Sequence, residues 1–387
     1  MDEKTVLKRL KENSVAPKGS LYAGDDAAFL KDLNGTYITT DTVVENVHFY
    51  RNIFSNYDLA YRAIGTALSD LAAMGAVPKY ILVALGLPTD FKISGFLKEI
   101  AEVAKNFNVV SVGGDISNST HIFVNVTCIG VDASASDLKL LHQKRSKHGK
   151  DNPNKSDNFN LRSALKPGQL IFATGQCGLS HKGFEIAKIL HESDNPQVLA
   201  DIFRTHVKDQ GSGSDSKQIA VNESQQNIPI SKADRDDLRF KKSCMLVKGA
   251  ARYMTRFEKD SLNRYLRPEP RLKEGILIRA AGATAMTDIS DSLAISLNDF
   301  AYDSQMGIAI EALPLTHELT IDQTLYGGED YELLFSIDED KVDNLLSLFG
   351  RNNLRAPIYI GRSDAKSRAV RMGSRTIKSR GYGHKFK

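Results

Sequence analysis

Six stretches of the chain share one pattern, an acid beside Gly, Ser or Thr at the edge of an apolar run. They are AGDDAA (23–28), TTDTVVENVHF (39–49), LSDLAAMG (68–75), VGGDISN (112–118), TDISDS (287–292) and GGEDYELLF (327–335). A carboxylate in apolar surroundings is costly unless a positive charge meets it, and small neighbours let a backbone or a phosphate approach closely. Asp70 is the sharpest instance, because it falls inside a helical pattern made mostly of Ala and Leu. Asp288 and Asp291 are three apart, so at the start of a helix both would face the same way. Taken singly, each acid reads as a turn or cap residue. Taken together, they make sense if they converge on hard cations bound through oxygen. Magnesium suits such ligands and usually shares its sphere with substrate phosphates. The pattern therefore points to phosphoryl chemistry on a metal-bound nucleotide.

A length of 387 residues predicts two domains, and a composition of 41% hydrophobic and 25% charged residues is that of a globular chain with a sizeable core. The longest apolar runs, such as YILVALGLP (80–88), fall far short of the roughly 20 residues a membrane span needs. The opening MDEKTVLKRLKEN reads as a short surface helix without the apolar core of a signal peptide, so a cytoplasmic location is expected. Three widely separated cysteines fit neither a disulfide framework nor a thiolate metal site. The net charge of +4 is concentrated in the basic tail 361–387. No zinc-finger, RRM-like or KH-like pattern accompanies that tail, so it reads as a solvated surface or a local attraction for an anionic small molecule, with neither nucleic acid nor membrane as partner.

Strands are predicted at 36–44, 80–88, 109–115 and 121–132, the third as a buried strand ending in a glycine turn. Helices are predicted at 58–75, with Asp58 as N-cap, and at 93–107. This mixture is α+β or α/β in two domains, an N-terminal unit over 1–140 and a C-terminal α/β unit over 161–387. Between them, the polar and aperiodic residues 141–160 read as a loop insertion. Residues 207–236, low in aromatics and rich in Ser, Gln and charge, read as a disordered excursion. Residues 166–175 predict a turn and a strand, and YLRPEPRL (265–272) a Pro-punctuated turn.

Several nucleotide and metal motifs are missing. There is no HExxH, no HRD or DFG and no GxGxxG. GLSHKGF (178–184) has glycines at Walker spacing, but Phe184 stands where the lysine belongs.

The ordered set YAGDDAA, TTDT, VHF, LSDLAAMGA, GGD, RSALKPG, RPEPR, TDISDSL, GGEDYEL and GYGH resembles the thiamine-monophosphate kinase family. That family shares an ATP-binding superfamily with aminoimidazole-ribonucleotide synthetase and selenophosphate synthetase. LSDLAAMGA and the metal-site aspartates are common to the superfamily, whereas GGEDYEL, NVHF and GYGH are more particular to the thiamine enzymes. The resemblance implies an N-terminal domain whose mixed sheet forms a homodimer and a C-terminal α/β domain closing over the nucleotide. It implies transfer of the ATP γ-phosphate to thiamine monophosphate. It also implies several magnesium ions held by Asp26, Asp41, Asp70, Asp115 and Asp288, with Thr39 and Thr40 helping and Asp291 holding a further ion. Gly114, Asp115, Arg162 and Ser290 would contact ATP, and His48, Glu329 and Tyr382 the thiamine moiety. Each has a plainer reading as well: His48 as a structural histidine at a strand end, Glu329 as a turn residue, Tyr382 as a tail anchor and Arg162 as a surface residue.

Three departures stand out. Ser292 replaces the family's usual Gly after the second aspartate, 141–160 lies just before Arg162, and 207–236 falls between elements. A phosphate-monoester acceptor has a second pKa of about 6 and is largely dianionic at neutral pH, so no catalytic base is required. What such a reaction needs is neutralisation of two mutually repelling anions. Competing readings are another ATP-dependent enzyme of the same superfamily, or a non-catalytic nucleotide- or nucleic-acid-binding relative. No cysteine precedes Cys128 to serve as the selenophosphate-synthetase nucleophile, and the chain ends in HKFK, not in a reactive cysteine.

Overall fold

The computed structural model describes Thr5 and residues 25–134, 162–193 and 242–381. Tyr382, both expected insertions and nearly all of the expected N-terminal surface helix lie outside the described residues. The first half contains β1 (Ala28–Leu30), β2 (Thr36–Val44), α1 (Asn56–Ala73), β3 (Ala76–Leu87), α2 (Ile93–Asn106), β4 (Val110–Asn118) and β5 (Phe123–Asp132). Its five strands form one mixed sheet in the order β1-β2-β5-β3-β4. The second half contains β6 (Leu170–Ala173), α3 (Leu179–Glu192), α4 (Met245–Ala250), α5 (Arg256–Leu266), α6 (Leu272–Ala280), β7 (Met286–Asp288), α7 (Leu293–Asp303), β8 (Gly307–Ile310), α8 (Ile321–Tyr326), β9 (Leu333–Ile337), α9 (Val342–Arg351), β10 (Ile358–Asp364), β11 (Val370–Met372) and β12 (Arg375–Thr376). Its strands form a seven-stranded sheet in the order β12-β11-β8-β10-β6-β9-β7. The architecture is two α+β units, as the sequence implied.

Helix α1 is the joint between them. It starts two residues earlier than predicted, because Ser55 is the N-cap and Asp58 closes a capping box from the third helical position. Its residues are buried on nearly every face, among them Leu59, Ile64, Leu68 and Leu71. One side covers β2, β5 and β3, while another meets α6 and β7 of the second half. Small residues allow this approach: a Cβ on Gly275 of α6 would run into the backbone carbonyl of Ala72. The core of the first sheet also takes in Ile186, Leu190, Val247 and Tyr265 from α3, α4 and α5. Those helices therefore pack with the first unit although they follow the expected boundary at 141–160.

Strand β4 differs from its prediction. It does not stop at the glycines but runs through Gly113, Gly114 and Asp115 to Asn118, parallel to β3 at the sheet edge. Every residue of it is exposed, including Val110, Val112 and Ile116, each more than half accessible. An apolar run reports that something should cover it, not that its own chain does so.

Candidate active site

Three carboxylates that are remote in sequence meet where α1, β7 and the segment leading into β1 converge. Asp26, Asp70 and Asp288 each present an oxygen within 4.8 Å of the others. Asp70 occupies the last turn of α1 and accepts a hydrogen bond from Thr39 Oγ1 at 2.5 Å. Asp288 ends β7 and accepts from Ser69 Oγ at 2.8 Å. Asp26 Oδ1 is paired with the Arg162 guanidinium and accepts from Thr287 Oγ1 at 3.0 Å. Its other oxygen, Oδ2, is buried and has no hydrogen-bond partner among the described residues. An orphaned, buried carboxylate oxygen facing two more acids is what a cation removes.

The electrostatics agree. Burial, then the charges of Asp288, Asp26 and Asp41, pushes Asp70 well above the usual carboxylate range. Burial, then Asp26, pushes Asp288 up to about 7. Among the described residues, the Arg162 guanidinium offsets this repulsion, paired with Asp26 and acting by its charge on Asp288. An all-oxygen, negatively charged donor set of this kind fits a hard divalent ion such as magnesium.

The remaining expected ligands separate into groups. Asp41, half-buried on β2, accepts the Thr42 amide at 2.7 Å and lies near enough for its charge to act on Asp70. Thr40 turns its hydroxyl to the opposite face, 3.1 Å from that of Thr127. Asp291 adds negative potential at Asp288. The expected helix-start geometry for this pair is corrected: Asp288 sits on a strand, and α7 begins only at Leu293 with Ser292 as its N-cap. Gly114 and Asp115 lie on the exposed edge strand, apart from the three-acid cluster. A Cβ on Gly114 would collide with the Val83 carbonyl, so that backbone approach requires glycine. Arg162, expected as a nucleotide contact, stands at the cation site with Nε also bonded to Thr287 Oγ1 at 3.1 Å.

A second group surrounds the GGEDYEL loop. Ser290 O accepts the Glu329 amide at 2.5 Å, and Ile289 O accepts that of Tyr331 at 2.9 Å, which ties this loop to the TDISDS segment. Glu329 and Tyr331 both adopt left-handed backbone, φ 64° and 51°, strain that recurs at functional sites. The Glu329 carboxylate is paired with Arg62, whose side chain is fully buried in α1. Glu329 also lines a cavity of about 410 Å³, together with Val47, His181, Phe184, Tyr326 and Arg380. His48 is not on that wall. Its Nδ1 accepts the Val44 amide at 3.0 Å, and its carbonyl accepts the Tyr265 hydroxyl at 3.0 Å.

The sequence reading missed the other acids of this loop and their partners. Asp330 accepts the amides of Gly178 (2.6 Å) and Ser180 (3.2 Å) at the start of α3. Glu332, wholly buried, is held by Arg264 and Arg271 and by the Thr174 hydroxyl. The Walker-like glycines proved to be packing residues, since a Cβ on Gly183 would strike the Ser261 carbonyl where α3 crosses α5. RPEPR had flagged Arg271 only as part of a turn, and nothing local marked Arg62.

Two family models match the chain: the AIR synthase related protein N-terminal domain over residues 24–131 and its C-terminal domain over 249–373. The thiamine-monophosphate kinase of Bacillus subtilis (strain 168) is 27% identical over 385 residues, covering 93% of this chain and 92% of its own length. That of Synechococcus elongatus is 29% identical over 339 residues, covering 84% and 80%. Among solved structures, AaThiL complexed with AMPPCP and TMP shares the fold with a TM-score of 0.68 at 23% identity, over 99% of this chain and 97% of that one.

Proposed function

The chain belongs to the AIR synthase related protein family, and from that premise we propose that it is a thiamine-monophosphate kinase. It transfers the γ-phosphate of ATP to thiamine monophosphate, giving thiamine diphosphate and ADP. The names of the relatives support this reading, and one observation of this chain carries it: the buried cluster of Asp26, Asp70 and Asp288, with an oxygen left unpartnered. Magnesium held by these acids, with Asp41 and Asp291 close by, would neutralise and align two phosphate groups.

The chain's own residues account for the rest. Arg162 brings a fixed positive charge against Asp26, in a planar fork suited to phosphate oxygens. Thr39 and Ser69 orient Asp70 and Asp288 through their hydroxyls, so those carboxylates are placed before substrate arrives. Glu329 offers the thiamine moiety an anionic wall, and the aromatic and apolar lining of Phe184, Tyr326 and Val47 excludes water beside it. No residue here is assigned as a proton acceptor, because the acceptor phosphate is already ionised near neutral pH.

The same reading makes the enzyme a cytoplasmic homodimer, with the exposed β4 edge as the contact. Among the described residues no helix is long and apolar enough to cross a membrane. Incubation with ATP, magnesium and thiamine monophosphate, followed by chromatography, should yield the diphosphate and ADP. Absence of both, with ATP turnover on a different acceptor, would move the chain to another branch of the family.

A further inference from the structure

Among the described residues, Arg62 has a placement that the chemistry above leaves unexplained. It lies in the middle of α1, wholly buried. Burying a guanidinium costs several kcal/mol unless excellent geometry repays it, and an apolar residue of similar size is often as stable or more so. Its environment is not ideal even so, because Nε has no hydrogen-bond partner among the described residues. Stability alone is thus a poor reason for this residue to be here.

Its other contacts supply a reason. One terminal nitrogen is paired with Glu329 Oε1. The other donates to the Tyr265 carbonyl at 2.5 Å, and the guanidinium sits 4.7 Å from the centre of the Tyr265 ring. Tyr265 in turn donates its hydroxyl to the His48 carbonyl at 3.0 Å. Arg62 and Tyr265 therefore form a continuous support that reaches Glu329 on one side and His48 on the other. Those two residues come from different units of the fold; Glu329 lines the cavity, and His48 directly follows Val47, which lines it too.

We propose that Arg62, braced by Tyr265, is a positioning residue for the acceptor subsite, locking Glu329 and the His48 segment into one geometry for thiamine monophosphate. This assignment rests on the kinase reading. The hydrogen bonds of Arg62 go to Glu329 and Tyr265, and its link to the cation site is only the longer-range charge of Asp41, so its effect falls chiefly on the acceptor. Glu329 takes a left-handed backbone (φ 64°) that alone would not fix its side chain, and the ion pair does so.

The test separates the two substrates. In Arg62→Met the KM for thiamine monophosphate should rise about tenfold or more, while the KM for ATP stays within about twofold and kcat falls less than the acceptor kcat/KM does. Arg62→Lys, which keeps the charge, should recover a large part of the loss. Tyr265→Phe removes only the hydroxyl beneath His48 and should raise the same KM about two- to fivefold, so it tests the support even where Arg62→Met fails to fold. Calorimetric titration with thiamine monophosphate should show the same order without turnover. Unchanged acceptor affinity in folded Arg62→Met, or in Tyr265→Phe where Arg62→Met fails to fold, or parallel losses for both substrates, would overturn the assignment while leaving the kinase reading intact. A parent protein that neither binds nor phosphorylates thiamine monophosphate would sink the kinase reading, and this assignment with it.

Discussion

At Asp288 a carboxylate is held at the end of a short strand, beside two others, with burial pushing it up to about 7. Such a placement is destabilising in the metal-free protein at neutral pH and above, where the charge is present. Replacing it by Asn removes the charge and retains an oxygen for the Ser69 hydroxyl. Asp288→Asn should therefore melt no lower than the parent in EDTA at pH 8. It should lose most of the melting shift that magnesium gives the parent, and its turnover should fall by at least about a hundredfold. A variant that is destabilised yet still shifted by magnesium would count against the cation site. Residues of this sort were legible in the sequence because a lone acid in a small, apolar window is costly wherever it lies. Ser292 shows the limit of such reading. It stands where relatives of the resembled family have Gly, with φ at 177°, an extended value that any residue adopts. Its hydroxyl also works, accepting the Ile295 amide at 3.0 Å and donating to the Arg380 carbonyl at 2.8 Å. Capping is visible from sequence, but the tail contact, 88 positions away, is not.

Elements were legible where their signals are local. The helix at 93–107, the strands at 36–44 and 121–132 and the RPEPR turn between α5 and α6 fall where expected, because periodicity and proline act over a few residues. The partners that lock those elements were not. Glu332, entering β9, draws in Arg264 from α5 and Arg271 from the start of α6. Burial by itself would raise its pKa, yet Arg271 and Arg264 together bring it down to about 2. A folded pKa below the unfolded value of about 4.3 means stabilisation that is present above that value and lost as pH falls toward 2. Glu332→Gln should cost roughly 3–5 kcal/mol at pH 7, because it breaks a buried ion network and leaves two arginines short of a partner. Urea unfolding at pH 7 and again near pH 3 checks this: the gap between parent and variant should narrow in acid. A gap independent of pH would show that the carboxylate charge is not the stabilising feature.

On the scale of the whole molecule, the five-stranded sheet ends in a strand that no other described strand pairs on its outer side, with three exposed aliphatic side chains, an edge that natural proteins seldom leave open. As the proposed homodimer contact, it predicts a sedimenting species of twice the chain mass. Val112→Lys, at the centre of that edge, should shift it to the monomer with little change in the melting of each chain. A parent that sediments as a monomer at micromolar concentration would remove the β4 contact. The sequence by itself determined the inventory: two α+β units, a set of acids too costly to stand alone, and the motifs that mark the family. Those properties are written in windows of ten residues, where burial, charge and backbone preference act on near neighbours. Tertiary structure decided which acids meet, that Asp115 rides on an open edge, and that Arg62 lies under Glu329. These are contacts between residues tens to hundreds of positions apart, and they exist only because α1 is packed against both units at once.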